Sequence, residues 1–430
     1  MCNPVRCLTA DREIPVRIVT MSRFTTHHAL AGLVFIVSLG IVIWAAAESN
    51  VLQPPSEPVA PTLFGMHIHR APVSTPWPSV PFKAWRLWDT HTTWAQLEPH
   101  KGDWDWRMLD RSVELAQSHG VEVLYTMGRT PSWASARPAE LGRNPNAPPG
   151  GVAEPRNLED WRNYVRSVAT RYKGRIKAYE VWNEPNLENF YSGTPGAMVN
   201  LAREAYGTLK EVDPSIVVVS PSAVGPTGLT WLDEYLKLGG GKYADVIGYH
   251  FYVRGQEPEA MLSFIDQVRE LTRKYGVADK PLWNTEAGWL QPYRIDAQDG
   301  PAYVARAYIL NWADGVSRFY WYAWDNQGAR VRMTEDDEAT STPSAKAYAE
   351  LQKWMVGARM DSVRQDRGTW ICQLSRGSSN SWIVWNPDGK AEIERPKEAC
   401  TIRKLSGESI GISGNRIEIG PTPVLVDRSR

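Results

Sequence analysis

The chain has 430 residues, with 48 lysines and arginines against 48 aspartates and glutamates, so its formal net charge is zero. Such a balance supplies no field to gather nucleic acid or a polyanion, and 43% hydrophobic residues describe a globular protein long enough for one large domain and one small one. The twenty tryptophans divide between core, where aromatics bury large areas, and flat exposed indoles suited to a neutral polymer with apolar C–H faces, such as a sugar chain.

Residues 1–20 show no hydrophobic period and read as an over-extended start, with Met21 as the alternative beginning. Residues 29–47 carry no charge; Arg23 precedes them, and Ala45-Ala46-Ala47 before Glu48 resembles a small-residue cleavage site. The segment 21–47 is therefore either a cleaved export signal or an uncleaved membrane anchor, since its apolar run approaches the roughly 20 residues that span a bilayer. Arginines at 6, 12, 17 and 23 favour an N-terminus held inside. Both readings export the rest: secreted, periplasmic, or tethered to the outer face of the cytoplasmic membrane. The stretch 48–61, with prolines at 54, 55, 58 and 61, reads as a stiff linker.

From 62 to 358 the pattern is strand, loop, helix, repeated. Strands are expected at 63–68, 82–88, 121–127, 175–182, 216–220, 245–252, 281–286 and 318–324. Helices are expected at 106–118, 158–172, 197–212, 230–238, 259–275, 302–317 and 344–356. Eight strands alternating with helices predict an α/β fold, a (β/α)8 TIM barrel with its reactive groups at the C-terminal ends of the strands. Residues 359–430 change texture, with short strand-like pieces between Gly, Ser, Asn and Pro, and read as a small C-terminal β domain of sandwich type. Cys372 and Cys400 lie in it, either as a disulfide or as two buried thiols.

Two strands end in glutamate. The fourth closes on Trp182-Asn183-Glu184-Pro185, where Pro185 stops the ladder, and the seventh on Asn284-Thr285-Glu286. A carboxylate at the mouth of a buried strand is costly without a partner or a task. Two of them suit glycoside hydrolysis, which needs one carboxylic acid to protonate the leaving oxygen and one carboxylate to attack or to activate water. Glu184 is the better acid, with Asn183 placed to bond a ring hydroxyl. Glu286 is the better nucleophile, held ionised by Arg86 unless that arginine pairs with Asp89 instead. His250 and Tyr252 share one face at the end of the sixth strand, able to orient the carboxylates. Trp324, ending the eighth, is expected as a floor under the sugar ring. Glu180 reads as a structural charge paired inside the barrel. The loop 137–157 is expected to wall the cleft together with Trp133 and Trp289.

These motifs resemble those of retaining glycoside hydrolases of clan A, nearest to family 39 and related exopolysaccharide hydrolases. Those at 182–186 and 284–288 carry the likeness, supported by Trp94-Ala95-Gln96-Leu97-Glu98-Pro99 and Thr130-Pro131-Ser132-Trp133-Ala134. The resemblance implies Glu184 as acid/base, Glu286 as nucleophile and retention of anomeric configuration; substrates differ across the clan and do not carry over, and the expectation for this chain is a β-linked oligo- or polysaccharide, with no cofactor and no metal. Retention carries a geometric expectation, a separation of about 5–5.5 Å between the carboxyl groups rather than about 6.5–9.5 Å. Two other readings stand beside it. One is a sugar-binding barrel without catalysis. The other is a metal-dependent amidohydrolase using His67, His69, His250 and Asp325, which lacks the histidine that site wants after strand five; otherwise His69 lines the sugar site or packs.

Overall fold

The computed structural model describes residues 51–142 and 147–428. The export segment 21–47 lies outside them; among the described residues no helix is long and apolar enough to cross a membrane.

Eight parallel staves form the barrel: β1 (Phe64–His67), β2 (Ala84–Leu87), β3 (Glu122–Met127), β4 (Ala178–Val181), β5 in two pieces (Val217–Val219 and Ala223–Val224), β6 (Ile247–His250), β7 (Leu282–Ala287) and β8 (Val316–Trp321). β1 pairs with both β2 and β8, through Gly65 opposite Ala84 and Tyr320. A side chain at Gly65 would meet the Tyr320 ring at 2.7 Å, so this seam accepts only glycine. β5 is interrupted at Pro221, which has no N–H to give to a ladder. Its first piece pairs with β4 and bridges Val246 from Val219, while its second pairs with β6 and Ser222 bridges back to Asn183. The broken stave thus still closes the ring.

Among the described residues seven longer helices clothe the staves, beside a single turn at Trp94–Leu97: α1 (Arg107–Ser118), α2 (Leu158–Arg171), α3 (Pro195–Val212), α4 (Gly225–Lys237), α5 (Met261–Lys274), α6 (Gly300–Ala313) and α7 (Pro343–Met355). Their starts are written in the sequence. Asn157 accepts from the Glu159 amide ahead of α2, and Thr194 and Thr342 cap α3 and α7, each followed by a proline in the first turn. α2 buries Trp161, Tyr164, Val165, Val168 and Ala169, a stripe at helical spacing.

The C-terminal unit has a six-stranded antiparallel sheet in the order β9 (Arg359–Asp366), β10 (Thr369–Arg376), β11 (Ser379–Trp385), β16 (Val424–Asp427), β13 (Thr401–Lys404), β14 (Ser409–Gly411). A ribbon of β12 (Ala391–Glu394) and β15 (Arg416–Ile419) packs across it, joined through Val384, Val426, Ile417 and Ile419. The other face continues the barrel core through Val363, Trp370, Cys372 and Leu374. The Trp385 indole donates to Glu259 at 2.9 Å, and Arg376 caps the end of α7 by donating to the carbonyls of Lys353, Trp354 and Val356.

Two expectations are decided. Of the two readings for Cys372 and Cys400, separate thiols hold, the first buried in the sheet as expected and the second exposed instead of buried. The Pro-rich stretch is not a free tether over its described residues. Val51 donates to the Val363 carbonyl, Val59 is buried and donates to Ala358, and Gly357 returns a bond to Val59. The non-proline amides give the segment a ladder partner that composition alone hides.

Candidate active site

The site grows out of a bend at the end of β4. Trp182 and Glu184 both have left-handed backbones, with φ of +72° and +44°, a conformation costing an L-residue about 1–2 kcal/mol. The bend is held on both sides. The Trp182 amide donates to Met127, its indole donates to the Phe190 carbonyl at 2.9 Å, and the Glu184 amide donates to Ser222 at 2.9 Å. The glutamate that a regular strand would turn away is thereby aimed over the barrel mouth.

Beneath it, Arg86 at the end of β2 is fully buried and speaks to three acceptors. Its guanidinium donates to Glu180 through Nε at 2.7 Å, to Glu286 through Nη1 at 2.7 Å, and to Asn183 Oδ1 through Nη2 at 2.7 Å. Burial works against its charge, but Glu180 and Glu286 outweigh that and hold it firmly protonated. Glu180 also accepts from Thr126 at 2.7 Å and Ser222 at 2.6 Å. Burial alone would neutralise Glu180; Arg86 and these hydroxyls reverse this and keep its carboxyl below the ordinary range. The alternative pairing of Arg86 with Asp89 is overturned, because Asp89 stands at the surface and accepts instead from the Tyr322 hydroxyl at 3.0 Å.

Glu286, on β7, accepts from Arg86 through Oε2 and from the Tyr252 hydroxyl through Oε1 at 3.0 Å. His250 Nδ1 lies 2.9 Å from Glu184 Oε1 and 4.0 Å from Glu286 Oε1. One oxygen of each glutamate and a ring nitrogen of His250 all fall within 4.8 Å of one another. Burial pushes the Glu184 carboxyl up to about 8, against the pull of Arg86. Burial also raises Glu286, to about 7, with His250 and Arg86 drawing it back. His250 moves the other way, to about 4, since burial and Arg86 disfavour its cation more than Glu286 favours it. Burial thus favours the protonated form of both carboxyls, Glu184 the more, and the neutral form of the imidazole.

Both glutamates open into a cleft of about 540 Å³ whose walls include Trp88, Asp89, Leu187, Phe190, Thr227, Arg254, Tyr293 and Tyr322. Asn183 and Tyr252 also line it. Other expected ligand residues lie elsewhere. Trp289 is fully buried, its indole donates to the Gln256 carbonyl, and its ring packs on Tyr303 and Trp321. Trp324 is buried too; β8 ends at Trp321, and Tyr322 takes the place at the cleft assigned to Trp324. Trp133 is outside the lining, its indole bonded to the Glu98 carbonyl and its ring edge-on to Trp94. The described part of the 137–157 loop is drawn down instead by Arg137, which binds Glu140 and Glu154. His69 stands one layer behind, against the Tyr322 ring and 3.3 Å from Asp325. His67 donates from Nε2 to the Thr285 carbonyl, so it and His69 form no joint ligand set with His250 among the described residues.

Most wall residues that strand periodicity missed sit in loops just beyond the strands, with Thr227 in the first turn of α4. Trp88-Asp89, directly after Leu87 at the end of β2, was the available signal, since each lies within three residues of the buried Arg86.

A sequence family described as "Glycosyl hydrolase catalytic core" matches residues 154–348, and "Glycosyl hydrolase family 10" matches residues 88–207. A β-xylosidase of Geobacillus stearothermophilus is 26% identical over 203 residues, 40% of each chain. The endo-1,4-beta-xylanase C of Paenibacillus barcinonensis is 23% identical over 195 residues, 40% of this chain and 17% of that one. The chain therefore spans less than half the length of these curated relatives. In fold, a family 39 glycoside hydrolase from Bacteroides cellulosilyticus superposes with a TM-score of 0.67 at 17% identity, covering 81% of this chain and 76% of that one. A family 39 β-xylosidase from Caulobacter crescentus gives 0.61 at 16% identity, covering 90% and 98%. In sequence and in architecture, the chain resembles the clan A glycoside hydrolases, family 39 among them.

Proposed function

We propose that the protein hydrolyses β-linked glycosidic bonds of an oligo- or polysaccharide with retention of configuration, by double displacement. Glu184 protonates the departing oxygen while Glu286 attacks the anomeric carbon. Glu184, now a carboxylate, then takes the proton of the water that releases the sugar from Glu286. The observation that carries this reading is the approach of the two carboxylates. Oxygens of Glu184 and Glu286 within 4.8 Å are nearer the roughly 5–5.5 Å of a retaining pair than the about 6.5–9.5 Å that inversion needs. Arg86 and Tyr252 serve the nucleophile by supplying two hydrogen bonds to its charged form. The relatives named as xylosidases and xylanases make β-linked pentose chains the first substrates to try. Export to the cell surface or beyond, by cleaved signal or retained anchor, rests on the charge-free run at 29–47.

The deciding experiment is turnover of aryl β-glycosides and β-linked oligosaccharides by wild type, Glu184→Ala and Glu286→Ala, with the first-formed anomer followed by NMR. The reading expects the β-anomer first and loss of turnover in both variants. First release of the α-anomer, or full activity in either variant, would overturn it.

A further inference from the structure

Among the described residues, charges around the cleft come in pairs, with one exception. Glu286 is bonded to Arg86, Arg86 is shared with Glu180, and Asp89 acts on the Arg129 guanidinium, which lies over the rings of Trp88 and Phe190. Arg254 lines the same cleft and is exposed, and among the described residues its guanidinium has no hydrogen bond and no ion pair.

The backbone beneath this free cation is fixed at some expense. Arg254 has φ +57°, a left-handed conformation that glycine would adopt without strain. Three contacts impose it. The Gln256 amide closes a turn onto the Val253 carbonyl at 3.1 Å, and the Gln256 carbonyl receives the buried Trp289 indole at 2.9 Å. Gly255 lies so close to Tyr293 that an added Cβ would come within 3.0 Å of that residue's Cβ. The turn is locked to the β7 side of the cleft while the side chain it carries has nothing to bind. A guanidinium is a planar fork that fits a carboxylate with two parallel bonds; sugar hydroxyls alone are served as well by neutral donors.

We propose that Arg254 receives a carboxylate borne by the sugar, so that the preferred substrate is an acidic β-linked glycan of the uronate type. This rests on the glycosidase reading above and adds the substrate's charge to it. The charge distribution also orients such a chain. Asp89 and Glu286, elsewhere in the lining, repel an anion, and Arg254 accepts it, so the carboxylate docks in one direction only. A protein of zero net charge achieves this by one placed cation and not by a long-range field.

Three substrates test it: neutral β-1,4-xylo-oligosaccharides, the same chains carrying glucuronic acid, and those decorated chains after reduction of the carboxyl to an alcohol. The full chain is expected to favour the acidic form over its reduced twin by about 10- to 100-fold in kcat/KM, the range of one charge-assisted contact. Arg254→Ala should bring that ratio close to one, and Arg254→Lys should retain part of it. A ratio near one in wild type, or a ratio that Arg254→Ala leaves intact, would overturn the proposal. Calorimetric binding of the same three ligands to Glu286→Gln separates the two readings. Preference for the acidic ligand there without turnover by wild type upholds the anchor and defeats the glycosidase; turnover without preference does the reverse.

Discussion

The guanidinium of Arg86 stands 2.7 Å from the Glu286 carboxylate and, through its other nitrogens, equally close to Glu180 and Asn183. One side chain from β2 thereby fixes the ends of β4 and β7 relative to each other, and with them the gap across which a sugar must sit. A single long cation could neutralise one carboxylate; only a five-donor planar fork satisfies three acceptors in fixed geometry.

Arg86→Lys is therefore not a conservative change. The ammonium cannot span all three partners, and Glu180 is left buried and under-compensated, a loss of about 3–5 kcal/mol for breaking a buried pair. With less stabilisation of its charged form, Glu286 titrates higher, so the acid limb of the kcat/KM profile moves to higher pH. Thermal unfolding and a pH–rate profile on an aryl glycoside check both. An unmoved acid limb would remove Arg86 from the role assigned to it.

The pH optimum follows from the two carboxyls. On the proposed mechanism activity requires Glu286 ionised, hence pH above about 7, and Glu184 protonated, hence pH below about 8. The profile of kcat/KM should be a narrow bell centred between those values. Glu184→Gln should abolish the alkaline limb and cost about 10²- to 10⁴-fold on substrates with poor leaving groups. The first step on a phenolate that leaves without protonation should be largely spared. An optimum near 4–5 would show that burial does not raise the pair.

How much of this was legible beforehand depended on whether a residue's role is set by its own strand. Glu184, Glu286, Arg86 and His250 end predicted strands, where a buried charge announces itself as an exception to the apolar pattern. A buried carboxylate also needs a partner, and Arg86, bonded to Glu180 and Glu286, supplies it. Aromatic side chains give no such signal. Trp289 and Tyr322 both follow a strand within a residue or two, yet the first is core and the second wall, because the Gln256 carbonyl, 33 residues earlier in the chain, happens to receive the Trp289 indole. Nor does composition reveal that Val59 pairs with Ala358; proline content marks a stretch as unable to donate at those positions and says nothing of the amides between them. The choice between disulfide and thiols at Cys372 and Cys400 stayed open for the same reason, since pairing depends on strand register that spacing does not contain.

Stability should depend on pH through Glu184. Its folded-state value near 8 lies above the ordinary 4.5, so between those limits the folded protein binds more protons than the unfolded chain. The sign is then fixed: the contribution is fully present below about 4.5 and is lost as pH rises through about 8. Glu184→Gln keeps the shape and removes the titration. The variant should match wild type in Tm near pH 5 and exceed it near pH 8.5 by about 2 °C or more. Parallel Tm curves for the two proteins across that interval would sink the prediction, and with it the claim that this carboxyl is held in a desolvated place.

Aromatic substitutions distinguish wall from core. Trp289→Ala removes a fully buried ring and should destabilise the fold by about 3–5 kcal/mol. Because it lies outside the cleft lining, any fall in kcat/KM should be equal for short and long oligosaccharides. Phe190→Ala trims a half-buried wall residue on which the Arg129 guanidinium rests. It should leave Tm within a few degrees yet raise KM about 2- to 10-fold, the value of one ring contact, and more for longer chains than for an aryl monosaccharide. If Trp289→Ala penalised long chains selectively while Phe190→Ala did not, the cleft would have to run toward β7 instead of along the β4 loop.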